Sequence, residues 1–390
     1  MSPSGRTCLE WFRRERNWIN EQHLKLCRIP APTFFEEKRA LWMAEQFQAL
    51  GWEARLDRAG NVVATLPGAS ASSMAVTAHL DTVLAPRTPD DIKTLRDGRM
   101  AGPGVADNGA GLAALLALAA AWKAAPPLED SRAAPILVAN VGEEGEGNLS
   151  GMRYFCRAAP GQPQVFLVLD GPGTDHITSR ALASQRFEVT ITGPGGHSWR
   201  DSAHGNPVHA LSRAVTLFTD QAASPLTPGP RSSFNFGIFE GGSSINSIPI
   251  EARAKIDLRS ESLGRIDEMA AMLTLAVDQA VEAENGRGSG PRITARIKEI
   301  GSRPSGELAD NAPLLEAVRA VDTHLGIRSR LDCSSTDANI PLSLGLQAVS
   351  IGAGGQGAGA HTPAEWYLPE GRDLALRRIL LAVCLLLTNE

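Results

Sequence analysis

An apolar run, Met74-Ala-Val-Thr-Ala78, is followed directly by His79-Leu80-Asp81. Alternate residues of a strand share a face, so His79 and Asp81 sit side by side where the run passes into a loop. In open α/β sheets that carboxyl edge is where ligands bind. A neutral imidazole beside a carboxylate is either a metal ligand with its hydrogen-bonding neighbour or half of a catalytic pair. Taken alone, a solvated His-x-Asp at a strand end is the commoner case, so the pair needs company.

Four further sites supply it. Asp107 lies in Gly102-Pro-Gly-Val-Ala-Asp-Asn-Gly-Ala-Gly111, ahead of a helix, where an aspartate is equally suited to capping. Glu143 and Glu144 follow the apolar run Ile136–Val141, where the plainer reading is a solvated acidic turn. Asp170 closes Val165-Phe-Leu-Val-Leu, a usual place for a turn residue, and His361 opens His-Thr-Pro-Ala-Glu365 after the glycine-rich stretch 352–359. Carboxylates and two imidazoles spread over several strand ends form a ligand set for two divalent first-row metals. Two metals roughly 3.5–4 Å apart need one bridging carboxylate and two further ligands each. His79, Asp107, one of Glu143 and Glu144, Asp170 and His361 make that count. The remaining glutamate is then free to act as general base toward a metal-bridging water. Neighbouring side chains on an extended segment diverge, so two adjacent glutamates can divide these roles.

The elements that must position these residues can be read from hydrophobic periodicity. Thr33-Phe34-Phe35-Glu36 has capping-box spacing, and Gly51 closes the helix that follows. Val62–Leu66, Met74–Ala78, Ile136–Val141, Val165–Leu169 and Ala348–Ile351 are short continuous apolar runs, as in strands covered on both faces. Asn108–Lys123 is Ala/Leu-rich and helical. After about Ala183 the pattern changes to half-exposed strands at 186–192, 233–239, 250–258 and 292–300. Helices at 206–219 and 263–283 complete a βαββαβ, ferredoxin-like order. The expected fold is α/β with two domains. A larger domain with a mixed sheet flanked by helices occupies 1–182 and 302–390, and the ferredoxin-like unit is inserted at 183–301.

A 390-residue chain exceeds the ~250–300 residues one core sustains, in keeping with two domains. Apolar content of 43% and charged content of 21% are those of a globular protein. A net charge of −5, with no basic run, argues against nucleic acid as partner. The apolar stretch Ile379–Leu387 is far short of the ~20 residues a membrane span needs. Five scattered cysteines without a Cys-x-x-Cys pair suit a reducing compartment, and the N-terminus lacks a signal-peptide core, so the expected location is the cytoplasm.

His-x-Asp-Thr-Val, Gly-x-x-Asp-Asn-Gly, Gly-Glu-Glu-Gly, Leu-Asp-Gly and His-Thr-Pro-x-Glu, in that order over nearly the whole chain, resemble metallopeptidase family M20. Its members include tripeptidases, carboxypeptidases, aminoacylases, acetylornithine deacetylases and desuccinylases. The resemblance implies that the larger domain is a zinc-hydrolase catalytic domain and the insert a lid and dimerisation domain. It implies two zinc ions, with cobalt or manganese as substitutes. His79 and Asp170 would hold one, Glu144 and His361 the other, and Asp107 would bridge them. Glu143 would be general base, and Asp81 would orient the His79 ring. A cis peptide is expected after Asp107. In Gly193-Pro-Gly-Gly-His197-Ser198 the resemblance implies that His197 reaches across a homodimer to polarise the scissile carbonyl. Asn246 and Arg259 resemble substrate-binding residues, and Ser335-Thr336-Asp337 resembles the family's Gly-Gly-Thr-Asp, placing Thr336 near substrate. His176, His204 and His209 belong to no such motif.

The expected function is hydrolysis of amide bonds in small peptides by a di- or tripeptidase or other exopeptidase. An N-acyl amino acid deacylase is the alternative on the same scaffold, with a carbamoyl-amide hydrolase further away. A non-catalytic dimeric binding protein would be expected to have lost ligands or base, and none is lost here. A nucleotide-binding reading of 102–111 lacks the required glycine register.

Overall fold

The computed structural model describes residues 3–69, 73–125, 128, 133–157, 162–222 and 230–388. The chain forms two compact units, Met1–Ala181 with Gly306–Glu390, and Leu182–Ser305.

The first unit is built on a mixed sheet. From one edge its strands are Glu53–Leu56, Val62–Thr65, Ile136–Asn140, Met74–His79, Val165–Leu169, Gln347–Ile351 and His176–Ala181, followed by Gly306–Glu307. The strand Arg330–Ser334 pairs with His176–Ala181 in parallel. Continuous apolar runs became the central strands because both faces are covered by helices. Met74–His79 is buried at all six positions. One covering helix, Gly109–Ala124, is buried from Gly109 through Trp122, as its unbroken Ala/Leu composition requires.

Four neighbouring strands run parallel. Met74–His79 pairs in parallel with Ile136–Asn140 and with Val165–Leu169, and the latter pairs in parallel with Gln347–Ile351. Their carboxyl ends therefore lie along one edge. The registers set His79 opposite Asn140 and Leu169 opposite Ile351, so Asp170 and the loops leading to Glu143 and His361 leave the sheet at that edge.

Sequence periodicity missed the edge strand Glu53–Leu56 and the strands His176–Ala181 and Arg330–Ser334. Each carries charged or polar residues, exposed in Glu53–Leu56 and largely buried in His176–Ala181, which break the apolar run that marks a central strand.

The second unit is a four-stranded antiparallel sheet with strand order Ser232–Gly241, Glu251–Ser260, Ala183–Thr192 and Thr294–Arg303. Two helices, Pro207–Ala222 and Leu263–Asn285, pack on it. The apolar positions of the alternating strands meet them in a separate core that includes Val189, Ile191, Phe218, Ile256 and Leu273. Element order and strand order are those of the βαββαβ unit.

Candidate metal centre

His79 ends its strand with a ring only 2% exposed. Its Nδ1 lies 3.0 Å from the Asp81 main-chain carbonyl, which can only accept, so Nδ1 carries the proton. In the neutral ring Nε2 is then the free donor of a lone pair. Nε2 lies 3.0 Å from Asp107 Oδ1 and 3.9 Å from Asp170 Oδ1.

The Asp81 carboxylate is fully buried, with Oδ1 3.5 Å from His79 Nδ1 and further partners at both oxygens. Its Oδ1 accepts from the Glu143 N–H at 3.0 Å, and its Oδ2 from the Glu144 N–H at 2.9 Å and the Thr33 hydroxyl at 2.9 Å. One side chain thus joins the His79 strand end to the segment carrying both glutamates. Glu144 itself is in extended conformation. Burial disfavours charge on Asp81, but His79 and the two amides outweigh it and lower its pKa.

Thr33 and Glu36 do not form the expected capping box. The helix Glu37–Ala49 has no side-chain cap bond. Thr33 binds Asp81, and Glu36 Oε1 accepts from the Gly142 N–H at 3.1 Å. A buried carboxylate and a buried amide cost more to leave unpaired than a helix end that water can reach.

Asp107 is not a cap either. Asn108 takes that place, its Oδ1 accepting from the Gly111 N–H at 3.1 Å. The peptide bond between Asp107 and Asn108 is cis. Asp107 presents Oδ1 to His79 and Oδ2 to His361 Nε2 at 3.1 Å. The same His361 nitrogen is 2.7 Å from Glu144 Oε1. One carboxylate therefore stands between two imidazoles, with Asp170 beside the first and Glu144 beside the second. Ligand atoms of His79, Asp107 and Glu144 all lie within 4.8 Å of one another.

The electrostatics follow from this crowding. Hydrogen bonds to Asp107 and Glu144 push the His361 pKa up to about 10. Burial works against charge on His79, yet the carboxylates of Asp107, Asp170 and Asp81 around it hold its pKa well above the usual value. Burial likewise opposes charge on Asp107, and both imidazoles outweigh it and lower its pKa. A site that draws positive charge onto both imidazoles, and whose donors are nitrogen and carboxylate oxygen, fits two divalent first-row cations.

Two buried residues nearby lie in motifs the sequence offered, but the sequence assigned them no role. Asp337 accepts from Asn140 Nδ2 at 2.6 Å, and burial raises its pKa to about 7. Glu365 closes the His-Thr-Pro-x-Glu motif and accepts three backbone N–H groups of the Asp107 loop. The motif itself was the available signal for Glu365; nothing local marked Asn140 inside an apolar strand. Thr336 is buried, and its hydroxyl accepts from the Ala338 N–H at 3.2 Å, closing a turn.

Within the second unit, a short ladder pairs Gly196–His197 with Ser247–Ile248, setting His197 opposite Ser247. The Ser198 N–H donates to the Asn246 carbonyl at 3.0 Å, so His197 and Asn246 occupy one corner. His197 is exposed, its Nδ1 accepting from the Trp199 N–H at 3.2 Å. Arg259 lies on Glu251–Ser260 with its Nε donating to Asp257 at 2.6 Å and its side chain 43% exposed.

Residues 75–383 match the peptidase family M20/M25/M40. The chain belongs to that family. A curated relative from Aspergillus clavatus, named a probable carboxypeptidase, is 29% identical over 229 residues, 54% of this chain and 49% of that protein. The chain's match thus spans about half the length of this relative. A solved tripeptidase of Staphylococcus aureus shares the fold with a TM-score of 0.73 at 19% identity, over 95% of this chain and 98% of that one. A Bacillus subtilis structure described as a dinuclear metal binding peptidase of family M20 has a TM-score of 0.67 at 14% identity, over 97% and 100%. Among the described residues, no helix is long and apolar enough to cross a membrane.

Proposed function

We propose that this M20 chain is a dinuclear exopeptidase that cleaves small peptides bearing a free carboxylate. The observation that carries the reading is Asp107, with His79 at one carboxylate oxygen and His361 at the other. His79 and Asp170 would hold one cation, His361 and Glu144 the second, and Asp107 both. Zinc is the first choice, with cobalt or manganese as substitutes. When bound, the cations would supply Lewis acidity at the scissile carbonyl and lower the pKa of the attacking water.

The protein's own residues do the rest. Glu143 accepts the proton of the attacking water at its carboxylate and returns it to the leaving amine nitrogen, so one water is consumed per bond cut. Asp81 keeps the His79 ring in one orientation and one tautomer. His197 donates an imidazole N–H to the carbonyl oxygen as negative charge builds there. Arg259 and Asn246 grip the substrate carboxylate and backbone. A homodimer formed through the inserted unit supplies His197 from the second copy. The strand Ser232–Gly241, an edge strand exposed along most of its length with Ile238 and Phe239 outward, supports that pairing.

The test is a matched panel of di- and tripeptides against N-acetyl, N-succinyl and N-carbamoyl amino acids, each with zinc, cobalt or manganese added. Peptides are expected to be turned over with the highest kcat/KM. A tenfold preference for an N-acyl amino acid would replace the peptidase reading by a deacylase. No turnover on any member of the panel would sink both.

A further inference from the structure

The Asp107 loop is pinned at every residue from Gly104 onward by groups outside the ligand set. Glu365, 3% exposed, accepts the Gly104 N–H at 2.7 Å on Oε2 and the N–H groups of Ala106 and Asp107 at 2.7 and 2.9 Å on Oε1. The carbonyl of the intervening Val105 faces His23 Nε2 at 2.7 Å. His23 is fully buried, and its Nδ1 lies 2.6 Å from an Arg372 nitrogen. Arginine can only donate, so Nδ1 accepts and Nε2 must carry the proton that Val105 receives. Arg372 is itself fixed: it donates to the Tyr367 hydroxyl at 2.8 Å and to Asn20 at 3.0 Å, and lies over the Tyr367 ring at 4.8 Å.

We infer that Glu365, backed by His23 and Arg372, is the positioning residue that fixes the Asp107 carboxylate between the two metals. The inference rests on the dinuclear reading above. Three N–H groups converging on one carboxylate make an anion-binding nest, and each bond is charge-assisted. The Asp107 N–H is one of the three, so the backbone of the bridging residue itself is held. Glu365 also lies four residues beyond His361, in a segment closed by successive turns, Thr362 N–H to Gly359 O at 3.0 Å and Glu365 N–H to Thr362 O at 3.3 Å. One short segment therefore supplies a ligand and places another. An amide in place of the carboxylate would set an NH2 group against at least one backbone N–H.

Three proteins test this: wild type, Glu365→Gln, and Asp322→Asn as control. The control breaks the buried Arg378–Asp322 pair, which takes no part in the site. Hydrogen exchange is followed on metal-free protein in peptides spanning 102–108, and cobalt binding by visible absorption with metal analysis. In Glu365→Gln the 102–108 peptides are expected to exchange at least ~10-fold faster, and cobalt affinity to fall ~10–100-fold with a changed spectrum. Asp322→Asn should lose thermal stability yet keep wild-type exchange at 102–108 and wild-type cobalt binding. Wild-type cobalt affinity in Glu365→Gln overturns the inference, whether or not exchange accelerates. Loss of cobalt equal to that of a control of matched stability overturns it too. A wild-type protein holding fewer than two cobalt ions per chain overturns the dinuclear reading, and this inference with it. If Glu365→Gln does not fold, Glu365→Asp, which keeps the charge but retracts it by one methylene, is read in the same way.

Discussion

Asp107 holds an imidazole at each of its two oxygens, and that arrangement sets how the site answers to pH. Without metal, the surrounding carboxylates favour the protonated form of both imidazoles. Divalent cations that bind there displace protons, so metal binding at pH 7 should release protons, measured by calorimetry in buffers of different ionisation enthalpy. Release near zero would mean that the imidazoles are not ligands. For metal-free protein the sign is fixed by the raised folded-state pKa. The stabilisation from His361 is fully present below its unfolded value of about 6.5 and is lost as pH rises through about 10. Glu144 meets His361, while the amides of Glu143 and Glu144 anchor Asp81. Glu143→Gln should cut kcat by ~10²–10⁴-fold while two metals remain bound. Metal loss in that variant would show the two roles reversed.

At the scale of elements, the site is assembled by strand ends and helix starts, and local rules were followed only where nothing buried competed. Asn108 caps the helix Gly109–Ala124 as a good cap residue should. It also ties that helix to the strand end bearing Asp170, accepting from the Gly171 N–H at 3.2 Å and donating to the Leu169 carbonyl at 2.8 Å. Asn108→Ala removes the cap and orphans buried groups, and should cost about 2–4 kcal/mol in urea unfolding. A cost under about 0.5 kcal/mol, the size of an ordinary surface change, would show that those bonds hold nothing together. Periodicity located the central strands because burial on both faces leaves an unbroken apolar signature. It failed for His176–Ala181, whose polar residues sit among apolar ones, and for Thr33 and Glu36, whose partners lie far along the chain.

At the scale of the whole molecule, the chain divides its work between two units with separate cores. The first gathers the candidate ligands, and the second holds His197, Asn246 and Arg259. If Arg259 grips the substrate carboxylate, Arg259→Ala should raise KM for peptides about 10-fold or more, the cost of a lost charge-assisted pair, and leave KM for a carboxyl-amidated analogue unchanged. Equal effects on both substrates would assign Arg259 to supporting Asp257 in its own sheet instead.

The sequence by itself determined the kinds of donor, their order along the chain and the strand ends that carry them, because apolar runs, turns and short motifs are local properties. It also carried the family resemblance. Only the tertiary structure decided which oxygen meets which nitrogen. His361 and Asp107 lie 254 residues apart, and His361 and Glu144 217 apart, so no local spacing encodes their contact. The parallel registers of four strands bring those positions to one edge. Thr33, Glu36, His23 and Glu365 acquire their parts in the same way, because a buried polar group takes whichever partner the packed chain leaves within reach.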